Sequence, residues 1–379
     1  MRQFDDFDRD HRADVGGTYA RLGWATLRPG EPIQVNGFRK YTCAEHPSLA
    51  AILRDYVHWL HTENLAPAIQ SAVVAIAGVL DGDDLLNTNL AWPVSLSRTR
   101  HDAGLEQLAL INDFVAVAQA LPYADAAAMQ RIYGEGALEM RLPALVLGPG
   151  TGLGVALRLA DGVLSSEAGH AALSAGTPLE QDVLRLLSQQ HAHVDNERIL
   201  SGPGLVALYT CLCELRAVPA QWQTPAQIIQ AARAETDTLA LESTQMFAAW
   251  LGSLAGDLAL TFGARSVYLT GGITGHLAAE LHDDGFQQRF LSKGGLSPAL
   301  RQVPVWRIEH GELGVLGAWH GMPKTPSPQL LAGQPRSTVN EDTSAILADL
   351  RAAGRPWWRR AEVAGLTGGR ARRARGVHL

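Results

Sequence analysis

Short apolar runs that stop abruptly on small or acidic residues alternate along this chain with longer stretches whose apolar positions recur every three to four residues. The first pattern predicts buried strands of an open sheet, and the second predicts helices that cover it. Leu108-Ala-Leu-Ile111 sets the frame, because the run ends at Asn112-Asp113 and Phe114 to Leu121 continues with helical spacing. A buried strand there delivers Asn112 and Asp113 to its carboxyl end, where ligands bind in open α/β sheets. A helix N-cap is the competing explanation, since Asp often fills that role. This stretch alone does not choose between the two.

Other segments repeat the theme. Ala72 to Gly78 is continuously apolar and suits a fully buried central strand, with Asp81-Gly82-Asp83 as the turn behind it. Leu142 to Leu147, Arg265 to Leu269 and Gln302 to Ile308 predict further strands, and Ala13 to Trp24 predicts a pair of strands joined by a tight Gly16-Gly17 turn. Leu49 to Leu65 presents one apolar face, so Tyr56 and Trp59 read as core. Pro225 to Leu260 is helical, and His310 to Ala318 is a closing helix of small residues that returns to the first lobe.

Size and charge narrow the class. At 379 residues the chain exceeds about 250–300 residues, where a single core stops growing, so two lobes around a cleft are expected. Hydrophobic residues make up 46% of it, which excludes a mostly disordered chain. No apolar run reaches membrane-spanning length. The net charge of −6 conceals an asymmetry: from Lys324 onward there are ten Lys or Arg against four Asp or Glu, which leaves the body near −12. An acidic body argues against a nucleic-acid partner, because a phosphate backbone needs a basic face. Residues 322–379 read as a basic, flexible extension in which Ser344 to Ala353 has the composition of a short helix. The charged lead before the first strand has no apolar signal core, so a cytoplasmic location is the expectation. Cys43, Cys211 and Cys213 read as buried thiols, and His191 and His193 lack a metal-binding spacing.

Candidate chemistry gathers at glycines and acids. Asp14-Val-Gly16-Gly17-Thr18 lets backbone N–H groups approach an anion, and Asp14 at a strand end suits hydrated Mg²⁺, which takes one or two carboxylates plus phosphate oxygens. Gly148-Pro-Gly150-Thr151-Gly152-Leu-Gly154 is not a dinucleotide fingerprint, because Leu153 takes the last glycine position and a strand follows where that fold needs a helix. A second glycine hairpin fits better, and two such turns can clamp one polyphosphate from both sides. Glu167 and His170 sit close enough in one loop to bridge sugar hydroxyls, or else form an ordinary surface pair. Glu197 precedes a helix opening at Ser201-Gly-Pro-Gly204 and has Arg198 as an alternative partner. Asn87-Thr88-Asn89 reads equally as a substrate loop, with Asn89 holding a hydroxyl, or as a capped turn. Gly271 and Gly272 follow a strand, where a nucleoside packs well and a helix N-terminus favours phosphate.

Asp14-Val-Gly-Gly-Thr18, Leu110-Ile-Asn-Asp-Phe114, Gly148 to Gly154, Glu167-Ala-Gly-His170, Glu197 to Gly204 and Leu269-Thr-Gly-Gly272 together resemble the bacterial glucokinase family, in that family's order across roughly residues 12 to 320. The resemblance implies a two-lobed hexokinase/actin-like (ribonuclease H-like) α/β fold with an interlobe active-site cleft. Residues 12–121 and 304–321 would form the small lobe and 122–303 the large one, after a lead of 1–11. It also implies ATP- and Mg²⁺-dependent phosphorylation of D-glucose at the 6-hydroxyl, and a homodimer. Asn112, Asp113, Glu167, His170 and Glu197 would hold the sugar, with Asp113 also the general base. Asp14 to Thr18 and Gly150 to Gly152 would cradle the phosphates, and Gly271 and Gly272 would lie beside adenosine. A kinase for another hexose or an N-acyl hexosamine, or a non-catalytic sugar sensor, is the alternative. Sensors of this type carry an N-terminal DNA-binding segment and a zinc-binding cysteine cluster, and only about a dozen residues precede the first strand here while the cysteines are scattered. The chain departs from the family pattern at Tyr19, where Asn is usual, and at Ala168, where Gly is common.

Overall fold

β1 (Asp10–Val15) and β2 (Tyr19–Ala25) form the expected hairpin, with Asp14 opposite Arg21 and Val15 opposite Ala20. β3 (Asn36–Thr42) pairs antiparallel with β2 on its outer side. α1 (Leu49–Thr62) starts where the Ser48 side chain accepts the Ala51 N–H, and it buries Ile52, Leu53, Tyr56 and Leu60; it ends three residues short of the expected Leu65. β4 (Ser71–Ile76) is the apolar run, and it lies parallel to β1. Short strands β5 (Val79–Asp81), β6 (Asp84–Leu86) and β7 (Val94–Ser95) make a separate three-stranded antiparallel sheet. α2 (Leu96–Ala103) stops at Gly104, whose φ of 72° is the left-handed cap conformation. β8 (Gln107–Asn112) runs parallel to β4 and completes a five-stranded sheet in the order β3-β2-β1-β4-β8; α3 (Asp113–Ala120) follows it without a break.

A second, six-stranded sheet contains β9 (Met129–Tyr133), β10 (Ala144–Pro149), β11 (Leu153–Arg158), β12 (Val163–Ser166), β13 (Ser266–Leu269) and β14 (Val305–Ile308), in the order β12-β11-β10-β13-β14-β9. β10, β13 and β14 are parallel and central, and the outer strands pair antiparallel. The helices α4 (Pro178–Gln190), α5 (Gly202–Leu215), α6 (Pro225–Arg233), α7 (Thr238–Phe262), α8 (Gly272–His276), α9 (Ala278–His282), α10 (Asp284–Leu291) and α11 (Ser297–Leu300) follow in this half. Its core joins Leu145, Leu147 and Leu269 of the sheet to Leu205 and Leu208 of α5 and to Phe247, Trp250 and Leu251 of α7. This computed structural model describes residues 10–15, 19–25, 36–63, 65, 69–86, 90, 92–135, 139–309 and 313–320, within the compact unit Met1–Pro326. The expected extension 322–379 lies outside the described residues.

α3 lies between the sheets. Phe114, Val117 and Ala118 pack with Val146 of β10, Tyr268 of β13 and Trp306 of β14. Ala116 packs instead with Val73 and Ala75 of β4 and with Ala318 of α12 (Leu313–His320). A side chain at Gly317 would overlap the Ala116 carbonyl, so the small residues of the closing helix are what let α12 cross α3 so closely. The expected assignment of 304–321 to the small lobe is corrected in part: β14 hydrogen-bonds into the second sheet, and α12 is the piece that returns to β1 and β4.

Candidate active site

The three parallel strands of the first sheet end in register. Asp14 is level with Ala75 and Ile111, and Val15 is level with Ile76 and Asn112. Neighbouring strands lie about 4.8 Å apart, so the backbones of Asp14 and of the Asn112-Asp113 step share the carboxyl edge across about 10 Å. Of Asp14 only the backbone is described; Gly16, Gly17, Thr18 and Asn89 lie outside the described residues.

Capping at this edge falls on Asn112, not on Asp113. Asn112 Oδ1 accepts the N–H groups of Phe114 (3.0 Å) and Val115 (3.1 Å), and its amide nitrogen remains to donate to a ligand. Asp113 Oδ1 also accepts the Phe114 N–H, at 3.0 Å, and its half-buried carboxylate stands in the first turn of α3, where the helix dipole favours a negative charge.

Phe114 ties this step to the second glycine hairpin. β10 and β11 pair antiparallel with Gly148 opposite Gly154, and a side chain at either glycine would collide with the Phe114 ring. Only glycine at 154 lets the ring, 9% exposed, lie against the strand. At the hairpin tip the Gly150 N–H is already engaged by Gly152 O at 2.8 Å, and Gly150 O accepts the Gly202 N–H at 2.8 Å. Gly150 thus uses its own N–H to shape the turn, and Thr151 and Gly152 are the residues at its tip. Gly271, at φ 91°, has no room for a side chain against the Pro149 carbonyl, whereas Gly272 meets nothing within 4 Å. α8 has five residues, too few for the dipole argument made from its sequence.

A third group of residues lies beside β11. Leu153 N–H donates to Glu197 Oε2 at 2.8 Å, so Glu197 braces the hairpin and is not spent on Arg198. Asn196 Nδ2 donates to Ala168 O at 3.0 Å, and Gly169 has no room for a side chain against the Leu153 carbonyl. The methyl of Ala168, one of the departures from the family pattern, packs on the core of the second sheet. Burial lifts the Glu167 carboxyl above its ordinary range; nearby Glu197 pushes the same way and His170 opposes. Glu167, His170 and Glu197 thus share one electrostatic environment, and Glu197 and Phe114 both grip β11, at adjacent residues. At the other departure, Tyr19, the Lys40 ammonium lies 3.5 Å from the centre of the ring.

Two participants carried too faint a signal in the sequence. Asp195 contacts His170, and Phe114 anchors Asp113, but the first looks like an ordinary cap before Asn196 and the second like one more apolar helix residue. His193 Nε2 reaches His170 O at 2.9 Å, and no cluster of metal-binding side chains occurs among the described residues. No helix among them is long and apolar enough to cross a membrane. Cys43, Cys211 and Cys213 form no disulfide and are buried, as read.

Comparison with known proteins finds relatives that share the sequence and the fold. The sequence profile of the family described as Glucokinase matches residues 12–324. A glucokinase-like protein of Xylella fastidiosa is 41% identical over 314 residues, covering 81% of this chain and 92% of that one. The crystal structure of glucokinase from an Antarctic psychrotroph is 34% identical with a TM-score of 0.68, covering 83% of this chain and 98% of that one. A glucokinase of the ROK family from Streptomyces griseus, solved with glucose and AMPPNP, has a TM-score of 0.57 at 19% identity, covering 82% of this chain and 97% of that one; it shows the shared fold.

Proposed function

The chain belongs to the glucokinase family, whose two-lobed actin-like fold it shares and whose reaction is the ATP-dependent phosphorylation of glucose; from that premise we propose how its residues divide the work. The sugar lies between the Asn112-Asp113 step and the 167–170 and 195–198 loops. Asn112 donates through its free amide group, and Glu167, His170 and Glu197 take the remaining hydroxyls. Asn89 is proposed as a further hydroxyl contact. The Gly152 N–H and Thr151 at the hairpin tip, together with Gly16, Gly17 and Thr18, bind the phosphates, and the bare surface of Gly272 beside Gly271 accepts adenosine.

In the reaction the glucose 6-oxygen attacks the γ-phosphorus, the bond to the β–γ bridging oxygen breaks, and ADP leaves. The hydroxyl proton passes to the Asp113 carboxylate as the new bond forms. Positioning and charge neutralisation supply most of the catalysis in such transfers, and a general base adds typically about 10²–10⁴-fold. The residue chemistry fits Mg²⁺, since the backbone of Asp14 lies near the carboxyl end of β1, Asp carries a hard carboxylate, and this ion takes one or two carboxylates along with phosphate oxygens. When bound it would neutralise the phosphate oxygens.

The observation that carries this reading is Phe114: it seats the Asp113 step directly on the hairpin whose tip is proposed to hold phosphate. A coupled ADP-release assay across glucose, mannose, fructose and N-acetylglucosamine tests it. Turnover highest on glucose is expected; turnover only on N-acetylglucosamine, or none on any sugar, would reject the assignment. We further propose a cytoplasmic homodimer with no nucleic-acid or membrane partner, the dimer resting on the family resemblance; sedimentation equilibrium reads the oligomeric state.

A further inference from the structure

The loop that carries Glu167 and His170 and the turn that carries Glu197 are stitched together by backbone. Leu173 N–H donates to Val194 O at 2.9 Å and Asn196 N–H to Ala171 O at 3.0 Å, and Ala172 and Asp195 form an isolated antiparallel bridge. Within that frame Asp195 is fixed twice over. Its Oδ1 accepts the Arg198 N–H at 3.0 Å as the cap of the 196–198 turn, and its side chain is only 13% exposed. The remaining oxygen, Oδ2, lies 3.5 Å from Nδ1 of His170, whose side chain is 47% exposed and so is available to a ligand. The His170 backbone is held separately, by His193 Nε2 on its carbonyl oxygen at 2.9 Å.

We infer that Asp195 is a positioning residue for sugar binding: it fixes the tautomer and ring orientation of His170, so that Nε2 meets the substrate. A carboxylate only accepts hydrogen bonds, so the nitrogen facing it must carry the proton. With Nδ1–H committed to Asp195, the neutral ring presents Nε2 as an acceptor for a sugar hydroxyl, and the charged ring presents it as a donor. The charged groups near the imidazole are Asp195 and Glu167, with Glu197 next to Glu167 and with Arg198 and His193 on the same turn and its approach. Among them Asp195 is the one whose carboxylate is bonded to the ring. The 3.5 Å separation is at the long end for a hydrogen bond, so its effect is that of one modest contact.

This inference rests on His170 contacting the sugar, and the experiment separates the two. Glucose affinity is measured by calorimetry without ATP for the full-length wild type, Asp195→Ser, His170→Ala and the double variant. Serine caps a helical turn as well as aspartate does, so Asp195→Ser keeps the Arg198 contact while its shorter side chain loses the ring. Asp195→Ser is expected to weaken glucose binding about three- to tenfold, the worth of one net hydrogen bond, with kcat at saturating glucose unchanged. The weakening should vanish in the His170→Ala background, and the ¹⁵N spectrum of the His170 ring should show a mixture of tautomers in place of one. An unchanged affinity in Asp195→Ser, an equal loss with His170 absent, or an unaltered ring spectrum would overturn the positioning role. His170→Ala with wild-type affinity would instead remove the sugar contact on which the inference stands.

Discussion

Asn112 and Asp113, neighbours of similar size, divide two tasks that either could perform. The amide is committed to the helix cap through Oδ1, while the carboxylate, one position later, takes the first turn of α3. Sequence alone left both explanations open for Asp113, because the atom that accepts the first-turn N–H groups depends on side-chain rotamers and leaves no mark in spacing. Glu167 carries a cost that fits a ligand-binding role. A carboxyl whose pKa is raised by burial favours the folded state when protonated. That contribution is complete below the ordinary carboxylate range and is lost as pH climbs through the raised value. Glu167→Gln, permanently neutral, is therefore expected to melt at a higher temperature than wild type at pH 7, with the gap closing below about pH 4, and to bind glucose more weakly. Thermal melts across pH check it, and a lower melting temperature at pH 7 would count against the burial account. Cys211, whose thiol burial pushes up to about 11, should resist alkylation at pH 8 in the native protein, as should the buried Cys43 and Cys213. Mass spectrometry of iodoacetamide-treated protein reads this, and rapid labelling without denaturant would contradict it.

The helix that Asp113 opens is held by β11 at both ends. Phe114 rests on Gly154 near its start, and Arg158 Nη1 donates to Gln119 Oε1 at 2.8 Å and to Ala118 O at 3.4 Å near its finish. A cation there also complements the negative end of the helix. Two glycine substitutions one short turn apart should then behave differently. Gly154→Ala drives a methyl into the Phe114 ring and is expected to cost about 1–3 kcal/mol by overpacking, with kcat falling because Asp113 shifts with its neighbour. Gly150→Ala meets nothing within 4 Å and should change stability by less than about 0.5 kcal/mol. Denaturant unfolding alongside steady-state kinetics distinguishes them, and equal effects at both positions would undo the wedge. The continuous apolar runs made β4, β10 and β13 legible, because a strand buried on both faces has no polar alternation to confuse it, and the same kind of run marked β8, which lies at the edge of its sheet with only Leu108 and Leu110 buried. The place of β14 was not legible. Its partners are β13 and, at the sheet edge, β9, so that Trp306 pairs with Arg131, and no local pattern reports a pairing across so much chain.

α3 packs on both sheets, and α12, which follows β14 in the chain, packs on α3 and on β1 and β4. The small residues Ala116, Gly317 and Ala318 set the closeness of that crossing. Lobe closure on the sugar would exclude water and suppress ATP hydrolysis, so glucose at saturation is expected to reduce the radius of gyration in small-angle scattering, and an unchanged profile would speak against closure. The two-lobe architecture was legible from chain length and from the alternation of strands and helices. The order of glycine turns and acids along the chain supplied the rest, since no single motif is specific.

The most direct test of the account is the rate of glucose-dependent ADP release by the purified, folded Asp113→Ala protein beside the wild type. A kcat lowered by at least about 10²-fold is the result expected from removing a general base, with ATP and glucose still bound and the thermal melt preserved. A folded variant that turns over at the wild-type rate would contradict it, and with it the placement of the reacting hydroxyl at the head of α3.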